Sequence, residues 1–407
     1  MANKRKIIND PVFGFISIPN ELIFDVLQHP YVQRLNRIRQ LGLSYVVYPG
    51  AQHSRFLHSI GAMHLMSDAI ASLRQKGIAI TDDEANGAMI AILLHDLGHA
   101  PFSHVMEHTL IEGITHEDVS LIMMEQINRE MHGALDTAIA IFTNKYSKHF
   151  LHQLISSQFD MDRMDYLCRD SFFTGVTEGS VASARLIKML NVVDDQLVVE
   201  QKGIYSIENY LTSRRLMYWQ VYLHKTAVAS EKVLVNALLR AKQLAHEGKQ
   251  LFAPPPLHYF LYNDVDRQWF MSHDEALRHY ELLDDNDIWS AMKMWTTSDD
   301  KILSLLATDL ITRRIFKVEI HDEPIGEEQT ELLHQDIARK AGIDIADAHY
   351  LTSINTIEKD MYNIDDDHIA ILYKDGTIKD IAEASEILNV SLLSKKIRKY
   401  YLCYHRF

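Results

Sequence analysis

Cysteine is scarce: the 407 residues contain two, Cys168 and Cys403, far apart in the chain. That excludes a disulfide framework and predicts a reducing compartment, with the cytoplasm as the default location. No apolar run reaches transmembrane length and no apolar h-region follows Lys4, Arg5 and Lys6, so neither a membrane span nor a secretory leader is expected. Positive charge is in deficit, with 41 Lys and Arg against 55 Asp and Glu and a formal net charge of −14. Nonspecific binding to nucleic acid or to an anionic membrane surface is therefore disfavoured, while a local basic pocket for a small anion stays open. Internal repeats and low-complexity tracts are also lacking. What remains is an ordinary globular chain, with 47% hydrophobic residues for a large core and a length that suggests two or three domains.

Histidine is plentiful: there are 22, clustered between His53 and His116. An apolar helix from about Ala88 to Leu94 runs straight into His95-Asp96, so two metal-competent side chains emerge from the end of a buried element. A hydrogen-bonded helix-end pair is the bland alternative. His95 and His99 stand at i and i+4 as in a zinc-protease helix, but Asp96 replaces the required Glu, and Gly98 and Pro101 end the helix too early.

Residues 7–20 alternate and predict a strand or hairpin. Asn20 caps a helix to about Gln28, and Pro30 starts another in which Tyr31, Leu35 and Ile38 space the apolar face and Arg34, Arg37 and Arg39 are expected in solvent. Tyr48–Gly61 reads as a loop entering a helix capped by Ser54, with Arg55 and His58 on one face, an arrangement suited to phosphate or to a plain capping turn. Thr115 and Asp118 form a capping-box-like pair that puts His116 and Glu117 in a first turn, where dipole compensation is their ordinary role and acid–base catalysis the sharper one for His116. The helix within 157–170 carries Asp162, Asp165, Tyr166 and Arg169 along one side, and carboxylates in an apolar helix need a metal or an arginine as partner.

Residues 192–199 predict a hairpin about Asp194-Asp195, 206–247 a long helical region, Pro254–Pro256 a loop, and the stretch through Trp289 to Leu310 further helices. After Thr312 come a strand at 315–320, a hairpin at 369–378 with an Asp-Gly turn, and a closing helix over about 381–401. The expected fold is mainly α: a helical domain over 1–312 with small β-hairpins, and a small α+β domain over 313–407 that supports assembly or a lid.

Arg-x-x-His at 55–58, His-Asp at 95–96 and Asp162 lie on three separate helical elements. Two imidazoles and two carboxylates make a mixed N/O set suited to one divalent ion such as manganese, iron, zinc, nickel or magnesium, with room for water.

With these motifs the chain resembles the HD-domain phosphohydrolases, close to the branch of the sterile-alpha-motif and HD-domain deoxynucleoside triphosphate triphosphohydrolases but without the sterile-alpha-motif domain. The resemblance runs through Ile8–Pro11, Gln33–Leu35, Gln40–Gly42, Tyr48–Ala51, His53–Gly61, His95–His104, Asp160–Tyr166 and Tyr222–Lys225, and covers roughly residues 7–310. It implies an HD-domain helical core and His58, His95, Asp96 and Asp162 as metal ligands. It places His99, His104, His116 and Glu107 around the α-phosphate, the last where the family has Asp. Arg55, Arg163, Arg214 and Lys225 match phosphate contacts, and Tyr166 lies in the same substrate set. Gln40 and Asp170 match readers of the sugar 3′-hydroxyl, and Leu41 with Tyr222 matches the wall that excludes a 2′-hydroxyl. The implied reaction is attack of metal-activated water on the α-phosphate of a deoxynucleoside triphosphate, releasing nucleoside and tripolyphosphate, in a homo-oligomer, dimer or tetramer. Gln28 and Asn36 replace the acid and arginine of the family's guanine-nucleotide activator site, so GTP activation is not implied. The competing expectations are another nucleotide or phosphate ester as substrate, and a non-catalytic, metal-stabilised nucleotide sensor; the acidic balance speaks against a nucleic-acid scaffold.

Overall fold

The computed structural model of the protein describes residues 6–102, 105, 109–359, 368–385 and 397–407. The opening hairpin forms as expected from β1 (Ile7–Asp10) and β2 (Gly14–Ser17), paired antiparallel. Strand alternation sends Ile16 into the core and leaves Ile7 and Phe15 on the outer face. Asn20 accepts the Ile23 N–H and starts α1 (Glu21–Gln28); Pro30 is the first residue of α2 (Pro30–Arg34). α2 is shorter than its apolar spacing suggested, because it tightens into a 3₁₀ turn over Leu35–Arg37. Arg34 is not in solvent: it is fully buried, donating to the carbonyls of Leu97, His99 and Leu283, which supply the partners that water would have.

The central layer is α3 (Arg55–Gln75), α4 (Asp82–Leu94), α5 (His116–Glu130), α6 (Asp136–Phe142), α7 (His149–Gln153) and α8 (Met161–Thr174). Each of the four that bears or adjoins a predicted site residue begins on a side-chain cap: Ser54 for α3 and the Thr115–Asp118 box for α5, as expected, and the Thr81–Glu84 box for α4 and Asp160 for α8. α3 packs on both α4 and α8, which brings three ligand-bearing elements side by side.

Beyond α8, β3 (Ile111–Glu112) having been passed on the way, the chain runs through α9 (Ser183–Met189) to β4 (Leu190–Val193) and β5 (Gln196–Glu200). Their turn is the predicted Asp194-Asp195, both at positive φ, 47° and 62°, as a two-residue turn of right-handed twist requires. The helical region predicted over 206–247 is divided: α10 (Ile204–Met217) widens into a π-helical turn over Tyr218–Tyr222, and His224 caps a new helix, α11 (Lys225–His246). The proline run is not a simple loop, since Pro254 precedes and Pro255 begins α12 (Pro255–Tyr262), where a missing N–H costs nothing. β6 (Val265–Asp266) pairs parallel with β3, and α13 (Arg267–Ser272), α14 (Asp274–Leu282), α15 (Asp285–Trp295) and α16 (Lys301–Ile311) follow.

The tail contains β7 (Lys317–His321), α17 (Glu327–Ala341), β8 (Thr352–Lys359), β9 (Ala370–Leu372), β10 (Ile378–Asp380), α18 (Ile381–Ala384) and β11 (Ile397–Tyr404). The closing helix predicted over 381–401 is wrong in its described parts: only Ile381–Ala384 is helical, and Ile397–Tyr404 is the central strand of the sheet β7-β11-β8. Tyr401, Leu402 and Cys403 are all buried there, and a strand paired on both sides outweighs helical propensity. β9 pairs parallel with β5, so the predicted Asp-Gly hairpin extends the earlier hairpin into the sheet β10-β9-β5-β4. Among the described residues no helix is long and apolar enough to cross a membrane.

Candidate metal centre and active-site cleft

The C-terminus of α4 presents His95 and Asp96. His95 Nδ1 donates to the Ile92 carbonyl at 2.6 Å, which fixes the tautomer and turns Nε2 outward. His58, one turn into α3, donates from Nδ1 to Asp165 Oδ2 at 2.7 Å and also turns Nε2 outward. Both Nε2 atoms approach Asp162 Oδ1, at 3.0 Å from His58 and 3.4 Å from His95. Among the described residues neither nitrogen has a partner in hydrogen-bond geometry, although both are buried. Ligand atoms of His58, His95 and Asp162 all lie within 4.8 Å of one another. Asp96 adjoins this set, with Oδ1 3.2 Å from His95 Nε2 and Oδ2 3.8 Å from His58 Nε2, while Arg55 donates to Oδ2 from Nη1. Two buried imidazole nitrogens that face two carboxylates without meeting hydrogen-bond geometry fit a divalent cation.

The electrostatics agree with a site built for positive charge. Burial acts to lower the pKa of both imidazoles, but Asp162 and Asp165 outweigh it at His58 and raise it to about 10; Asp96 and Asp162 do the same at His95, raising it to about 9. Burial likewise acts to raise the two ligand carboxyls, yet His95 and His58 hold Asp162, and His95, His99 and Arg55 hold Asp96, well below the usual carboxylate range. His99 goes the other way: burial first, then Arg55, bring it down to about 3 and keep it neutral.

The turn carrying these groups is held from several sides. The Ser120 hydroxyl donates to the His95 carbonyl at 2.7 Å and accepts the Gly98 N–H at 2.8 Å; Tyr280 donates to the Gly98 carbonyl at 2.5 Å. Arg34 Nη1 donates to the carbonyls of Leu97 and His99 at 3.2 and 2.8 Å. These bonds fix a loop that sequence alone leaves free to move.

A cleft of about 330 Å³ opens on the cluster, and Gln40, Arg55, His95, Asp96, His99, His116, Asp162, Arg163 and Tyr166 from the predicted site line it. Gln40 reaches it because Gln40 N–H donates to the His53 carbonyl and Arg55 N–H to that of Ile38, laying the two segments side by side. His99 stacks on His116 with centroids 3.9 Å apart. His58 lies behind the lining, 0% exposed. Asp170 does not line the cleft: it is buried, taking His53 Nε2 and the Tyr222 hydroxyl at 2.8 Å each. The π-helical turn supplies Tyr222 to that contact. Arg214 is buried and donates to Gln158 Oε1 at 3.0 Å; Lys225 is exposed, Leu41 and Tyr222 half-buried, and none of the four is in the lining. His104 and Glu107 lie outside the described residues. Glu117, Phe142, Ile155 and Ser156 complete the wall. The last three carried no sequence signal, and Glu117 gave only that of a first-turn acid. A larger hollow of about 580 Å³ beside β5 and β9 gathers no comparable set of ligating side chains.

A helical core that brings His58, His95 and Asp162, with Asp96 adjoining, together at one cleft defines a candidate site for a divalent metal. The family models for the HD domain and for the HD associated region match residues 55–170 and 181–252. A crystal structure described as a phosphohydrolase from Bacteroides thetaiotaomicron is 60% identical, superposes with a TM-score of 0.97, and is matched over 99% of this chain and 100% of that one. YwfO of Bacillus subtilis, an uncharacterized protein, is 31% identical over 99% of this chain and 92% of its own length. The deoxynucleoside triphosphate triphosphohydrolase SAMHD1 homolog of Dictyostelium discoideum is 33% identical over 61% of this chain and 52% of that protein, so the match spans about half of that relative. The chain belongs to the HD-domain phosphohydrolase family.

Proposed function

We propose that the protein hydrolyses deoxynucleoside triphosphates at the α-phosphorus, releasing deoxynucleoside and tripolyphosphate, with one divalent cation held by His58, His95, Asp96 and Asp162. The observation that carries the reading is the meeting of two buried Nε2 atoms, neither in hydrogen-bond geometry, with Asp162 at a cleft that also holds Arg55, Arg163, His99 and His116. The partial match to a deoxynucleoside triphosphate triphosphohydrolase supports the substrate class. Such a cation, when bound, acidifies water and neutralises phosphate charge.

The protein's own groups do the rest. Arg55 and Arg163, both in the cleft lining, neutralise oxygens whose charge grows as the bond to O5′ breaks. His116, on the first turn of α5 and in the cleft lining, protonates the departing O5′, while neutral His99 behind it orients the α-phosphate together with His104 and Glu107. Gln40, in the cleft lining, receives the sugar 3′-hydroxyl, and Tyr166 forms the wall beside the 2′ position. We place the protein in the cytoplasm as a homo-oligomer, dimer or tetramer, with residues 313–407 supporting assembly; light scattering tests the oligomer.

The direct test incubates chelator-stripped protein with Mn²⁺ and each dNTP and NTP and resolves nucleoside from tripolyphosphate. dNTPs are consumed and NTPs spared, and Asp96→Ala abolishes turnover. Inertness toward every dNTP, with or without added nucleotides, overturns the substrate assignment; turnover of nucleoside monophosphates instead moves the same chemistry to another phosphate ester.

A further inference from the structure

His58 offers Nε2 to the proposed cation, and its other nitrogen begins a buried series of ion pairs that leaves the cleft altogether. Nδ1 donates to Asp165 Oδ2 at 2.7 Å. Arg169, one turn further along α8, donates to both oxygens of Asp165, from Nε and Nη2, at 2.9 Å each. Its Nη1 reaches Asp10 Oδ2 at 2.7 Å, across 159 residues of sequence. The other oxygen of Asp10 accepts the N–H groups of Val12 and Phe13 at 2.9 and 2.8 Å and so shapes the turn between β1 and β2. All four side chains in the series are at most 1% exposed.

A buried arginine needs one carboxylate for neutrality, and Arg169 has two. With a neutral His58 the series holds a net negative charge, which is costly to bury unless a cation stands at its end. Asp162, Asp165 and Arg169 share one stripe of α8, so a ligand, the acid that orients a second ligand, and the cation that holds that acid are rigidly spaced. Gly61 of α3 leaves the necessary room: a Cβ there meets Asp165 Oδ1 at 1.9 Å and Arg169 Nη2 at 2.1 Å. Groups that orient a metal-binding imidazole from behind tune its affinity for the ion.

We infer that Asp165, Arg169 and Asp10 are positioning residues for His58 and couple the opening hairpin to the metal centre, so that the cation binds more tightly when the hairpin is docked and the hairpin docks more firmly when the cation is bound. The two effects are equal by linkage. The inference rests on the metal reading above.

Asp10→Asn isolates the coupling, because the amide oxygen still accepts from Val12 and Phe13 while the charge opposite Arg169 is gone. Mn²⁺ is titrated calorimetrically into chelator-stripped parent, Asp10→Asn, Asp165→Asn and, as a stability control in α16, Leu303→Ala. Asp165→Asn weakens binding about 10-fold and Asp10→Asn about fivefold, whereas Leu303→Ala lowers the melting temperature and leaves affinity unchanged. In the parent, Mn²⁺ also slows hydrogen exchange at the Val12 and Phe13 amides, a measurement that decides the matter alone if Asp10→Asn does not fold. A parental affinity in Asp10→Asn, or exchange at those amides indifferent to Mn²⁺, overturns the coupling; a parent protein that takes up no Mn²⁺ overturns the metal reading itself.

Discussion

Burial pushes the Asp285 carboxyl up to about 6, against the backbone N–H and guanidinium of Arg39, which act to lower it. Its folded pKa therefore lies above that of the unfolded chain, and ionising it costs stability. Below about pH 4 both states are protonated and the cost is absent; it grows as pH rises from about 4 to about 6 and is complete above that, on the order of 2–3 kcal/mol. The opposite sign holds for Glu84, where burial is outweighed by Lys148, the Thr81 N–H and Tyr146, so that its contribution is lost as pH falls through its lowered pKa. Asp285→Asn removes the first effect alone. The variant gains on the parent in unfolding free energy between pH 4 and 6, measured by denaturant titration; a difference that stays level over that range rejects the assignment. Arg34 is the matching case for a cation: no sequence rule distinguishes it from Arg37 and Arg39 on the same short segment, and only the carbonyls of Leu97, His99 and Leu283, brought in from distant parts of the chain, make its burial tolerable.

At the scale of elements, α5 cannot approach the cleft unless Gly98 stays a glycine. A Cβ at Gly98 meets the His116 carbonyl at 2.0 Å and the Ser120 nitrogen at 2.5 Å, both backbone atoms that move only with the first turn of α5. Gly98→Ala therefore separates His95-Asp96 from His116; bound Mn²⁺ after dialysis and turnover both fall, and the melting temperature drops by the overpacking cost of roughly 1–3 kcal/mol. Parental metal content in this variant shows that the two elements have slack. What was legible in the chain beforehand follows from the same distinction between local and distant causes. Caps at Asn20, Ser54 and Thr115, the Asp194-Asp195 turn and the His-Asp helix end are local chemistry, and each stands where the residues put it. The cleft wall from Phe142, Ile155 and Ser156 and the strand at Ile397–Tyr404 depend on packing partners far away in sequence, to which a local window is blind. The partners of Asp170 are distant in the same way, His53 and Tyr222 lying 117 and 52 residues away.

For the whole molecule the question is whether residues 313–407 are an attachment or a support. Several bonds of the helical part end in the tail: Asn236 donates to the carbonyls of Tyr350 and Thr352, Arg240 pairs with Asp347, and buried Asp309 accepts from His405 at 2.6 Å. β5 has β9 as its neighbour, so removing the tail also bares a strand edge. Cutting after Thr312 leaves Asp309 without His405, Asn236 without two acceptors, and the apolar surface under Tyr401 and Cys403 open to water. A 1–312 fragment is accordingly expected to melt more than about 10 °C below the full chain, since several kcal/mol are lost from a domain of this size, and to associate through the bared edge in a concentration-dependent way. Thermal scans and light scattering on the two lengths measure this directly. A fragment that melts with the full chain, stays monodisperse and binds Mn²⁺ equally well makes the tail dispensable for the fold, and its part in assembly then has to be sought at its outer face.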